Sequence, residues 1–495
     1  MKKILTKIMD FIKKHNNIFA IILIFLSFFG ITINCRITNS DELWNFQNVF
    51  KLYNGYKIYQ ESNVIVTPLF FILGEKIFEI LGANFLTFRI YNIIILINFY
   101  FITYLILKKI GISKKISIIL VLGLILLKGY NIILIQASYN TMALMISFLG
   151  VLLYLYRFKY NSIFQGIILF LVFMSKQNIG IFYAIGLILC EILEKQKIRV
   201  IAKRILAEIL IFFMLDIIFI IYLYNTNNLY NFINYTVLGI GEFAKRNMYI
   251  DISNIMIIVF LVVINIVLTL FFIKNKKVIC EQKRQLIVLN CFSISFIMIV
   301  IPIINDAHFL LGTYLSIILF IYLMFILIKE IDVKINKKII NIILIILILF
   351  ECSFSIYNFI SWYKMITLPS YKFEKSHPFY GGVYDKELIR NIDNVTKYIK
   401  ENSNKVVILS GKAALYMVPL KQNNGMLDLP FKGNLGAGEE EGLVSLIRSM
   451  KETEILIDKD EKNMEWQESK MAREYIIRNM EKIGEIEEFD IYKCK

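Results

Sequence analysis

The sequence predicts an α-helical polytopic membrane protein of about eleven spans with a small C-terminal extracytoplasmic α/β domain. Three observations carry this. Of 495 residues, 57% are hydrophobic and only 19% charged, too apolar a balance for a soluble fold to cover its surface with polar groups. Apolar runs of about 15 to 23 residues recur from Ile18 to about Ile360, each long enough for a hydrocarbon core of roughly 30 Å. After about Tyr363 the pattern changes to short alternating strands and helices.

Charge supplies the orientation. Residues 361–495 carry 21 basic and 22 acidic groups, whereas the preceding part carries 34 and 17, so the membrane part holds +17 of a chain whose net charge is +16. A basic balance on short loops between apolar runs marks the cytoplasmic side, not a nucleic-acid partner.

The first run, from Ile18 to about Ile33, follows Lys2, Lys3, Lys7, Lys13 and Lys14. No small-residue cleavage site follows it, and Asn34 before Cys35 spoils a lipoprotein signal, so it reads as an uncleaved span with its N-terminus inside. Basic clusters then fall at 108–115, 157–159, 195–204, 274–284 and 329–338. With the N-terminus they hold 25 of the 34 basic residues, and all are cytoplasmic if the stretch Val64 to Leu81 does not cross.

That stretch contains Pro68, Glu75, Lys76 and Glu79 and reads as a helix along the outer surface. The expected spans are then approximately 18–34, 86–107, 116–135, 140–156, 162–175, 179–193, 205–225, 253–273, 286–303, 309–328 and 339–358. The expected division is a membrane domain over 1–362, with an external loop 35–85, and an extracytoplasmic α/β domain over 363–495. In that tail the pattern places strands at Val406–Ser410, Glu454–Asp458 and Phe489–Tyr492, with helices at Gly442–Met450 and near Ser469–Ile483. Its expected task is gating access or helping to recognise an acceptor. The loop Gly433–Gly438 resembles a phosphate loop only superficially and reads as flexible. The six cysteines are scattered without CxxC spacing and read as packing residues.

The polar and unusual residues gather in the external pieces. Asp41 and Glu42 follow Ser40 and precede an apolar stripe of Leu43, Phe46, Phe50 and Tyr53, which by the plainer reading merely starts an amphipathic helix. The functional reading makes Asp41 a general base on an acceptor at the membrane surface, or makes Asp41 and Glu42 the ligands of a divalent metal ion. Lys176, between two apolar runs, is costly in lipid unless it reaches water or an anion. Arg89 and Lys128 lie within apolar runs in the outer half and suit an anion; Asp216 reads as a structural partner. His308 is either an interfacial polar group or a proton shuttle.

A resemblance rests on these segments. External Asp41-Glu42, then Tyr53-Asn54-Gly55-Tyr56-Lys57-Ile58-Tyr59 with Glu61, then Thr67-Pro68-Leu69, resembles the first external loop of GT-C glycosyltransferases, the branch with protein O-mannosyltransferases and the lipid A aminoarabinose transferase. Met174-Ser175-Lys176-Gln177-Asn178-Ile179-Gly180 is similar to that family's lysine-bearing turn before the sixth span. The likeness covers about residues 18–225, and more weakly Asp306 to Thr313. Many relatives carry an Asp in the second external turn, where this chain has Tyr139-Asn140-Thr141.

The resemblance implies a glycosyltransferase that moves a sugar from a polyprenyl-phosphate-linked donor to a glycan, lipid or protein acceptor at the outer face of the cytoplasmic membrane. It implies Asp41 as base with Glu42 and Glu61 in support and Lys176 and His308 on the phosphate; Glu61, Lys176 and His308, together with Lys128 and Arg89 from their place in apolar runs, are the expected substrate-binding groups. A lipid-linked saccharide flippase and a non-catalytic membrane protein with an external binding domain are the rivals. The absence of an internal repeat and of paired Gly/Pro-broken spans counts against transport.

Overall fold

The computed structural model describes residues 16–34, 40–129, 138–194, 197–246, 248–331, 337–367, 373–383, 385–464 and 468–493. The chain is mostly helical. In order the main helices are α1 Asn16–Asn34, α2 Ser40–Tyr53, α3 Leu69–Leu81, α4 Phe85–Lys109, α5 Lys114–Gly129, α6 Tyr139–Tyr156, α7 Asn161–Ser175, α8 Gln177–Leu193, α9 Ile198–Asn225, α10 Ile252–Lys274, α11 Cys280–Ile297, α12 Asp306–Glu330 and α13 Lys337–Thr367. Every expected span therefore holds a helix, although the stretch 130–135 lies outside the described residues.

Among the described residues, seven helices are long and apolar enough to cross a membrane. Three of these, α9, α10 and α13, leave most of their apolar side chains exposed, for example Leu210, Phe213, Ile218, Phe260, Ile346 and Leu349. Such faces are stable only in a solvent as apolar as themselves, which is the condition of a membrane-embedded helix. By contrast α3 has 13 residues, about 20 Å at 1.5 Å per residue, well short of a hydrocarbon core.

The chain divides into two compact units. The first comprises Met1–Asn34, Asn92–Asp216 and Ile250–Trp362. Within it α6 packs on α7, α8 on α11, and α12 on both α10 and α11. Aromatic rings fill the centre: Phe148 stacks on Phe296 with centroids 6.2 Å apart, and Tyr314 packs at 5.0 Å from Phe99.

Ion pairs tie one end of this bundle together. Arg204 reaches Glu191 at 3.2 Å, and Arg284 reaches Glu194 at 3.1 Å and Glu281 at 3.2 Å. These groups lie at the C-terminal end of α8 or near the N-terminal ends of α9 and α11, among the basic clusters that the charge pattern assigns to one side.

The second unit comprises Cys35–Tyr91, Ile217–Tyr249 and Tyr363–Lys495. Its tail adds α14 Lys386–Glu401, α15 Glu439–Ser449 and α16 Lys470–Asn479, with strands β1 Lys405–Leu409, β2 Thr453–Asp458, β3 Glu481–Ile486 and β4 Phe489–Lys493. The sheet order is β1-β2-β4-β3, with β1 and β2 parallel and the other pairs antiparallel. Val407, Leu409, Ile455, Ile457, Leu443, Ile447 and Ile476 form its core.

Two elements differ from expectation. The charged helix α14 was not expected, and the last helix stops at Asn479 because Glu481–Ile486 pairs with β4 in a hairpin turned at Glu487 and Glu488. The Gly433–Gly438 loop, expected to be flexible, is fixed: Gly433 N donates to Glu439 Oε2 at 3.0 Å and Ala437 N to Asn234 Oδ1 at 3.1 Å. Side-chain oxygens take both of these amides, as a phosphate would in a phosphate loop.

Helix α2 is the hub of this unit. Phe46, fully buried, packs against Phe78 of α3, against Phe85 and Phe88 of α4, and against Phe379 of the tail. Gly74 permits the approach of α3 to α2, since a Cβ there would meet Val49 Cγ2 at 2.7 Å. The polar face of α2 is covered too. Gln47 Nε2 donates to Asp428 Oδ1 at 2.8 Å, and Lys51 pairs with Asp428 and donates to Asn423 Oδ1 at 2.8 Å.

Candidate functional site

In the first unit, Lys176 sits in the extended turn between α7 and α8, with φ −159° and ψ 116°. Its amide closes α7 on Val172 O at 2.9 Å, and its carbonyl receives Gly180 N at 3.1 Å. Gly180 allows the two helices to meet so tightly, because a Cβ there would lie 2.8 Å from Phe173 Cα. The half-buried ammonium donates to Asn140 Oδ1 at 2.5 Å and lies 5.4 Å from the centre of the Tyr139 ring. Both partners belong to the first turn of α6, which Ser138 caps by accepting from Asn140 N.

His308 belongs to the first turn of α12, capped by Asn305, whose Oδ1 accepts from His308 N at 3.0 Å. The same oxygen lies 2.9 Å from His308 Nδ1. Because that oxygen is an acceptor, Nδ1 carries the proton, and Nε2 of the neutral ring has a lone pair to offer. Nε2 donates to an anion only once the ring is protonated. Lys176 is close enough for its charge to be felt at this imidazole. Asn254 Nδ2 holds Asp306 Oδ1 at 3.1 Å beside it.

The first unit thus brings Lys176 and His308 together with Asn140 and Tyr139. These residues start helices α6, α8 and α12, the ends opposite the Arg284 ion-pair network. The Asn140 amide and the Tyr139 ring both face this ammonium without bearing a charge of their own. Sequence reasoning singled out Asn140 only as a missing acid. Asn305 gave no signal beyond its capping residue type.

In the second unit, Asp41 and Glu42 occupy the first turn of α2 and part company in environment. Asp41 is exposed, whereas Glu42 is 3% exposed and faces Arg89, which is fully buried. Arg89 Nε lies 3.4 Å from Glu42 Oε1, and the guanidinium carbon lies 4.8 Å from the centre of the Phe85 ring. Burial raises the Glu42 carboxyl above its ordinary value, against the opposing pull of Arg89. Glu42, expected to support catalysis or metal binding, and Arg89, expected to meet a substrate anion, are therefore each other's counter-ions.

Glu61 turns back on its own loop: its Oε2 accepts from Lys57 N at 2.6 Å and its carbonyl accepts from Lys51 Nζ at 3.0 Å. The side chain of Lys128 lies outside the described residues. Among the described residues, no group of three or more His, Cys, Asp or Glu side chains is arranged to hold a metal ion, and Asp41 and Glu42 belong to no such group.

Fold and site together define a helical membrane protein with a lysine-bearing polar cluster at one end of its bundle. The chain matches no protein-family model and no curated protein at a significant level.

Proposed function

We propose that the protein is a GT-C type membrane glycosyltransferase, moving a sugar from a polyprenyl-phosphate-linked donor to an acceptor at the outer face of the cytoplasmic membrane. The observation that carries this reading is the grouping of Lys176, Asn140 and His308 at the bundle end opposite the basic loops. Basic loops mark the inner side, so the cluster faces outwards, where a carrier presents its phosphate. The eleven helices then span with the N-terminus inside, α3 lies on the surface, and residues 363–495 are external.

The chemistry is a displacement at the anomeric carbon. The acceptor hydroxyl oxygen forms the new bond to that carbon while its proton passes to the Asp41 carboxylate. The bond from the anomeric carbon to the carrier phosphate breaks, and its electron pair leaves with the phosphate. Lys176 stabilises the charge that develops there. A phosphate is already a competent leaving group, so placing a cation against it is the expected contribution of the membrane part.

Purified protein in liposomes, supplied with lipid-linked sugars, should release free carrier phosphate. Asp41→Asn and Lys176→Ala should each abolish most of that release. Undiminished turnover in both variants would remove the assignment.

A further inference from the structure

The second unit contains a cleft of about 510 Å³ that none of the roles above uses. It lies within the usual range for ligand sites, about 300–1,000 Å³. Its walls are Tyr53 and Asn54 at the end of α2, Phe373, Glu374 and His377 in the segment 373–383, and Lys421 in a turn of the tail. Hydrogen bonds to main-chain carbonyls hold these walls. Phe85 N donates to Pro378 O at 2.7 Å, Leu86 N donates to Tyr380 O at 3.0 Å, and the Tyr56 hydroxyl holds Lys421 O at 2.7 Å.

The rings are set as well. Phe373 and His377 stack with centroids 3.6 Å apart at 13°. Tyr53 is braced edge-on by Phe78 at 6.2 Å and remains 42% exposed. Phe379 N donates to His377 Nδ1 at 3.2 Å, so the neutral ring carries its proton on Nε2 and is a donor there. Burial lowers this imidazole to about 4, which keeps it neutral at pH 7.

The cleft therefore offers a carboxylate that only accepts, an ammonium and an imidazole N–H that only donate, and an exposed aromatic face. Its two formal charges cancel. A phosphate-bearing ligand would meet Glu374 as a like charge. An acyl chain or an apolar peptide would strip water from Glu374 and Lys421 and give them nothing in return. A sugar ring matches both features, since its hydroxyls donate and accept while its C–H face is apolar and suits a ring such as Tyr53.

We propose that this cleft binds a neutral oligosaccharide, with a pyranose face against Tyr53 and hydroxyls bonded to Glu374, His377 and Lys421. Binding itself does not rest on the transferase reading; under that reading the bound chain is the acceptor.

The test uses the full chain in lipid nanodiscs, free of sugar-headed detergents, against an array of neutral, acidic and phosphorylated oligosaccharides. Neutral glycans should bind, and Tyr53→Ala and Glu374→Gln, both exposed positions, should each weaken binding at least fivefold with unchanged thermal unfolding. Lys397→Ala, at a position that does not line the cleft, should leave affinity unchanged. The proposal is overturned by binding confined to acidic or phosphorylated glycans, by no binding to any neutral glycan, or by undiminished binding in both cleft variants. Carrier release in liposomes is read separately, so loss of glycan binding and loss of transferase activity are distinguishable.

Discussion

Lys176 Nζ donates to Asn140 Oδ1 at 2.5 Å, so the cation is aimed by an amide and not neutralised by it. Asn140→Asp would turn this contact into an ion pair and set a carboxylate against any incoming phosphate. The KM for a lipid-linked donor should rise at least tenfold, with kcat changed less. Steady-state kinetics in liposomes across donor concentrations checks this, and an unchanged KM would place the phosphate elsewhere.

Lys176→Ala should act differently. If the ammonium stabilises charge that develops only as the phosphate departs, kcat should fall by roughly 10²-fold or more. Lys176→Arg should restore part of the loss, because the charge returns with a different reach and shape. A fall in both variants to the same floor would point to a purely geometric requirement.

Asp41 and Glu42, neighbours in sequence, should separate on mutation. Asp41→Asn should leave the protein folded and lower turnover by roughly 10²–10⁴-fold, the range for loss of a general base. Glu42→Ala should instead remove a carboxylate that faces a fully buried guanidinium, a cost of about 3–5 kcal/mol. Thermal unfolding and activity measured side by side distinguish them.

The pair Lys51 and Asp428 joins α2 to the tail with both residues 5% exposed or less. Asp428→Ala should destabilise the second unit by about 3–5 kcal/mol, and Lys51→Met with Asp428→Leu should recover much of that loss, since apolar replacements remove both desolvation costs. Limited proteolysis of the tail in nanodiscs would read the difference.

His377 supplies a pH prediction. Its imidazole is lowered from 6.5 to about 4 by burial. Between those values the unfolded chain binds a proton that the folded chain does not, so its contribution to stability is complete above about 6.5 and falls as pH drops towards 4. Asp458, raised by burial to about 6, has the opposite sign, because the folded state holds the proton and gains from acid. The comparison is therefore between wild type and His377→Gln. The variant should lose less stability, or gain more, between pH 7 and 4.5 in thermal unfolding.

Much was legible in the residues alone. Apolar runs of membrane length predicted a helix at each of eleven places, and the composition required an apolar solvent, because backbone hydrogen bonding in lipid leaves a helix as the local solution. The charges of Glu75, Lys76 and Glu79 marked α3 out from the spans, and it forms a separate helix of 13 residues. Lys176 stood out because an ammonium between apolar runs must have a partner. The partner itself was not legible: Asn140 is 36 residues away, and only the packing of α6 on α7 and α8 brings it there. The same holds for Glu42 with Arg89 and for Lys51 with Asp428, separated by 377 residues. Local pattern determines which segments are helical and which face of each is apolar, since those depend on spacing along the chain. Which carboxylate is left exposed and which is buried against Arg89 depends on contacts distant in sequence, and only the folded chain decided that Asp41 would be the first and Glu42 the second.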